Sequence, residues 1–123
     1  MTRLESLCYA IQKQEGWAPG TRAWRNNNPG NLRSSPLTKQ TQDGYAFFGT
    51  FLDGWSALWL DLWIKCAGRS KTGLTHNSTL ADFAAIYAPQ RDGNDPGSYA
   101  RNIAATLGVP TTTPLSYFLH DLQ

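Results

Sequence analysis

Cysteine, methionine, histidine and glutamate are all scarce in this chain. Its 123 residues hold two cysteines, one methionine and two histidines, and its only glutamates are Glu5 and Glu15. Cys8 and Cys66 have no CxxC spacing and no adjacent histidine, so thiol-redox and cysteine-metal chemistry find no motif. They read as small buried hydrophobes on helical faces, and their spacing neither requires nor forbids a disulfide. His76 and His120 are isolated, with no partner at metal-ligand spacing, so neither a metal nor a cofactor is expected. Long apolar runs are also missing. None approaches the roughly 18 residues of a membrane span, and the opening MTRLESLCYAIQ is too polar for a signal h-region. The expectation is synthesis in the cytoplasm without a signal peptide and no membrane insertion.

Charge is sparse as well, at 16% of residues with a formal net of +2. The basic residues are scattered from Arg3 to Arg101, which does not make a nucleic-acid stripe. Hydrophobic residues at 41% describe a globule, not a disordered tail. There is no internal repeat, low-complexity run or linker. Residues 1–123 are therefore expected to form one domain, read as a monomer.

What is present is concentrated in Gln12–Arg33, QKQEGWAPGTRAWRNNNPGNLR. Leu4, Leu7, Cys8 and Ile11 recur at the period of one buried helical face, and four residues further stands Glu15. Gly16 reads as the helix stop. A carboxylate in the last helical turn meets the negative end of the helix dipole, and burial near Trp17 acts in the same direction. Both favour the protonated acid that a general acid must be. Glu5 has a structural explanation instead: Thr2-Arg-Leu-Glu5 is a capping box.

Along the rest of the chain, Trp17–Trp24 is expected to be irregular because of Pro19 and Gly20. Asn26–Gly30 cannot be regular either, since Pro29 restricts Asn28 and Gly30 permits positive φ. Asn side chains can lock such a turn, or offer donor and acceptor together to a sugar; a mixture is expected, with Asn31 facing the cleft. Asn31–Arg33 and Tyr45–Phe48 read as short strands, with Asp43-Gly44 as a turn. Asp53 is expected to cap a central helix carrying Trp55, Leu58, Trp59, Leu62 and Cys66. Trp17 and Trp24, in loops near Glu15, are candidate sugar-stacking rings. Gly68–Asn77 is a polar loop. Thr79–Tyr87 and Pro96–Leu107 read as helices, the latter capped by Asp95 with Pro96 at its first position and Gly108 at its end. A last helix is expected from Thr113-Pro114 onward.

Arg25–Arg33, RNNNPGNLR, with Gln14-Glu15-Gly16-Trp17 upstream, resembles the lysozyme-like family of phage-associated peptidoglycan-degrading proteins. The resemblance continues in order through Gly20-Thr21, Asp43–Phe48, Gly54–Leu58, Tyr87-Ala88-Pro89, Asn94-Asp95 and Tyr99. It implies an α+β fold, mainly α and lysozyme-like, with a small β-hairpin and about five helices around a substrate cleft. It implies Glu15 as catalytic acid on a β-1,4-linked amino-sugar polymer, peptidoglycan. Asn28, Asn31, Tyr45, Tyr87, Asn94 and Asp95 are the expected substrate-binding residues. Access to the wall or periplasm would come through a holin, a virion or a secretion machine.

Glycosidic cleavage needs a proton donor for the leaving oxygen, and hydrolysis usually needs a second carboxylate. Asp43, Asp92 and Asp95 are candidates, none singled out by a motif; Asp95 is explained as a helix cap. A lytic transglycosylase manages with one Glu, so muramidase and transglycosylase both stay open. So do a non-catalytic wall-binding or virion structural protein on the same fold, and an enzyme acting on chitin.

Overall fold

Thr2 and Glu5 open the first element by exchanging hydrogen bonds. The Thr2 N–H donates to Glu5 Oε1 at 3.0 Å and the Glu5 N–H to Thr2 Oγ1 at 3.1 Å. In this computed structural model, which describes residues 1–122, that capping box starts helix α1 (Arg3–Gln14). Leu4, Leu7, Cys8 and Ile11 are all fully buried, the stripe their spacing predicts. The helix closes in a Schellman turn. The Trp17 N–H donates to Gln12 O at 3.3 Å and the Gly16 N–H to Lys13 O at 3.1 Å, with Gly16 at φ +74°.

The chain forms two compact units, one of Cys8–Leu62 and one of Met1–Leu7 with the chain from Trp63 onward. Its described residues make a mostly helical α+β protein with five α-helices and one two-stranded hairpin. None of those helices is long and apolar enough to cross a membrane.

In the Cys8–Leu62 unit, the segment expected to be irregular holds a short helix, α2 (Arg22–Arg25), because Thr21 Oγ1 accepts from the Trp24 N–H. The hairpin also differs from expectation. Its strands are β1 (Thr41–Gln42) and β2 (Tyr45–Ala46), paired antiparallel with Gln42 opposite Tyr45. Asp43 at φ +56° and Gly44 at φ +79° supply the two left-handed residues of a type I′ turn, whose twist suits adjacent strands. Asn31–Arg33 is not a strand: Asn31 sits at φ +51°, and only Leu32 O receives a bond from the β2 side, the Ala46 N–H at 3.0 Å.

Helix α3 (Phe51–Cys66) begins earlier than expected, because Thr50 Oγ1 rather than Asp53 accepts its first bond, from the Asp53 N–H at 3.1 Å. Ala57, Leu58, Leu62 and Cys66 are buried along it, each large side chain worth about 1.5–3 kcal/mol. Trp55, Trp59 and Trp63 are half-buried.

The other unit is ordered by caps the sequence spells out. Thr79 and Asp82 form a capping box at the start of α4 (Leu80–Tyr87), with Leu80, Phe83 and Ala84 buried. Asp95 caps α5 (Pro96–Leu107), Pro96 takes its first position, and Gly108 closes it at φ +71°. Helices α4 and α5 pack on each other. A single 3₁₀ turn, Gln90–Asp92, lies between them. The expected last helix is a 3₁₀ segment, Leu115–Leu119, not an α-helix. Its first two amides are drawn outward, Leu115 N–H to Ser78 O and Ser116 N–H to His76 O.

Candidate active site around Glu15

The asparagine run is a set of hydrogen-bonding clamps. Nδ2 of Asn26 donates to Gln42 O at 3.0 Å, and Nδ2 of Asn27 to Phe48 O at 2.9 Å. Nδ2 of Asn28 donates to Ala46 O at 3.0 Å and to Leu32 O at 2.8 Å, while its Oδ1 accepts from the Leu32 N–H at 2.9 Å. Three consecutive amides thus hold three carbonyls of the 42–48 segment. Asn26 and Asn28 are fully buried. Asn28, expected to bind substrate, is therefore a fold-building residue: no part of it reaches solvent, and both of its amide ends are occupied inside the protein.

Left-handed backbone falls on the asparagines rather than on Gly30. Asn27 has φ +50° and Asn31 φ +51°, which Asn tolerates better than most side chains. That conformation turns the chain after Gly30 and sends the Asn31 side chain to the end of α1. There Nδ2 of Asn31 lies 3.4 Å from Oε1 of Glu15. Glu15 is half-buried, the residue just beyond the last helical position of α1. Oδ1 of Asn31 is buried, with no hydrogen-bond partner among the described residues.

Tyr45, at the start of β2, carries two guanidinium groups. Arg22 Cζ is 3.6 Å and Arg33 Cζ 4.8 Å from its ring centroid. The sequence does not single out Arg22, and Arg33 enters it only as the last residue of the Arg25–Arg33 motif, with no role assigned. Contact between residues so far apart in the chain leaves no periodic signal; the alternation at Tyr45 marks only the ring. Arg25 behaves differently: it donates to Gly20 O and pairs with Asp43 at 3.6 Å. Asp43, one candidate second carboxylate, is thereby engaged at the hairpin turn. Trp17 lies edge-on to Phe51 at 5.2 Å, and Phe51 stacks on Trp55 at 6.0 Å. Trp24, on α2, stays 45% exposed.

The remaining expected residues belong to the second unit. Tyr87 is half-buried, stacked on Phe83 at 5.1 Å, with Tyr99 at 6.1 Å and Lys65 Nζ 5.8 Å from its ring. Nδ2 of Asn94 donates to Pro89 O at 3.3 Å, an exposed bond. Asp95 accepts from the Ser98 N–H at 3.1 Å and the Ser98 hydroxyl at 2.9 Å. Those bonds, the backbone one foremost, hold its carboxyl below the usual Asp range. Among the described residues no three His, Cys, Asp or Glu side chains gather as a metal site.

No protein family, curated protein or solved structure matches this chain.

Proposed function

We propose that the protein cleaves peptidoglycan glycan strands at β-1,4 amino-sugar linkages, with Glu15 as the general acid. The observation that carries this is the Glu15–Asn31 pair: a half-buried carboxylate at a helix end, 3.4 Å from an amide held there by a left-handed backbone. The lysozyme-like resemblance of the surrounding motif supports the same reading.

An amide suits a residue that must be both acid and base. Its Nδ2 donates to the carboxylate; rotated by half a turn, its Oδ1 accepts from the protonated acid. Asn31 can thus hold Glu15 in one place before and after proton transfer. In the reaction, the Glu15 proton goes to the leaving glycosidic oxygen as the C1–O bond breaks. Water attacking C1 gives a reducing end, and the sugar's own 6-hydroxyl attacking C1 gives a 1,6-anhydro end. In either case Glu15 takes a proton back from the attacking oxygen, or a second carboxylate does so. On this reading the protein needs no cofactor and works as a monomer. It reaches the wall through a holin, a virion or a secretion machine.

The test is digestion of purified peptidoglycan, with mass spectrometry of the released fragments. Wild type should release muropeptides, and Glu15→Gln should release none while keeping its helical circular dichroism. Anhydro ends would identify a transglycosylase and reducing ends a hydrolase. Release that persists in Glu15→Gln sinks the assignment. Wall binding without release by wild type would make this a binding module.

A further inference from the structure

Arg22 and Arg33 both stand over the ring of Tyr45, at 3.6 and 4.8 Å. Asp43 pairs with Arg25, and among the described residues neither Arg22 nor Arg33 has a carboxylate within ion-pair distance. Nε of Arg22 is buried and has no acceptor there. Two like charges at one ring repel, and a cation–π contact returns only about 0.5–2 kcal/mol. The cluster is one negative charge short.

Its geometry suits a carboxylate. Stacking occupies the flat face of a guanidinium and leaves its in-plane N–H donors along the edge, where they match two carboxylate oxygens. The cluster is also tied to the proposed acid. Asn31 contacts Glu15, Arg33 contacts Tyr45, and the Ala46 N–H next to Tyr45 donates to Leu32 O between them. Two residues apart, Asn31 and Arg33 have backbones at most ~7 Å from each other.

We infer that Arg22, Tyr45 and Arg33 form an anion subsite that binds a carboxylate of the substrate beside the bond Glu15 protonates. This rests on the glycan-cleaving reading above and adds a choice of polymer to it. Wall strands carry ionised carboxylates on their peptide stems, whereas chitin is neutral. The subsite selects the charged strand.

The test titrates wild-type protein with N-acetylmuramyl-L-alanyl-D-glutamate and with the same compound carrying amides in place of its carboxylates. The probe has no bond between sugars, so it is not consumed. The acid should bind about tenfold more tightly than the amide at low salt, and less so as salt screens the charges. Arg33→Gln, whose wild-type side chain is exposed, should abolish that preference, and Arg22→Gln should do the same. Equal binding of the two forms, binding of neither, or a preference that survives in both variants overturns the subsite. If walls are still cleaved in those cases, the subsite alone falls. If wild type cleaves no wall, the glycan reading falls and the subsite goes with it.

Discussion

Nδ2 of Asn31 reaches Oε1 of Glu15 across 3.4 Å, joining the end of α1 to the far side of the asparagine turn. Asn28, three residues earlier, points the other way, into the interior. On the proposed function, two asparagines of one turn divide the labour between chemistry and folding, and substitution should separate them.

Asn31→Gly removes the amide without straining a backbone already at φ +51°. On the proposed function, wall cleavage should fall about tenfold to a hundredfold through kcat, since misplacing a reacting group by ~1 Å costs that much. KM and the thermal midpoint should move little. Unchanged turnover would remove Asn31 as a positioning residue.

Asn28→Ala should do the reverse. It strips the partner from the Leu32 N–H and from Ala46 O, both inside the fold, while Leu32 O keeps the Ala46 N–H. Leaving buried polar groups unmatched costs about 1–3 kcal/mol each before relaxation. Loss of about 2–4 kcal/mol in urea unfolding is expected.

Gly54→Ala should also destabilise, for a steric reason. A Cβ at Gly54 would fall 1.7 Å from Asn27 O and 3.0 Å from Pro29 Cδ. The obstacle is backbone, so α3 or the asparagine turn must shift, at about 2–3 kcal/mol by analogy with overpacked cores. A melting temperature equal to wild type would show that the two segments separate easily.

Acid sensitivity should trace to two caps. The Thr2 backbone bond chiefly lowers the Glu5 pKa, and the Ser98 backbone bond chiefly lowers that of Asp95. A carboxylate depressed by folding adds stability above its unfolded pKa and loses it as pH falls through the folded one. The ordinary values are 4.5 for Glu and 3.8 for Asp, so stability should decline as pH drops below those values. Asp95→Asn keeps a good cap with no charge to titrate. It should flatten that decline in pH-dependent unfolding, and a slope identical to wild type would contradict the role of Asp95.

Caps and stops were the most legible part of the sequence. Thr2 with Glu5, Gly16, and Asp95-Pro96 with Gly108 each act through neighbours a few positions away, so local chemistry decides them. The start of α3 was not legible, because Thr50 and Asp53 are both good caps three residues apart and only one can come first. The partner of β2 was missed for a different reason. Asn31–Arg33 reads as a short strand, but it has no β-branched or aromatic residue to favour one, the left-handed turn at Asn31 takes it out of register, and the Asp43-Gly44 turn folds back the residues just before it. At the candidate site, helical spacing points to Glu15 and the motif to Asn31, and the structure brings the two within 3.4 Å. The Arg22–Tyr45–Arg33 cluster is not legible in the sequence, since it depends on three segments meeting in space.

The three amides clamped on the 42–48 segment make the hairpin an all-or-none object. Opening it at either end strands buried donors, so partial fraying has no cheap intermediate. Backbone amides at Leu32, Ala46 and Phe48 should exchange with deuterium together and slowly, although the strands beside them are only two residues long.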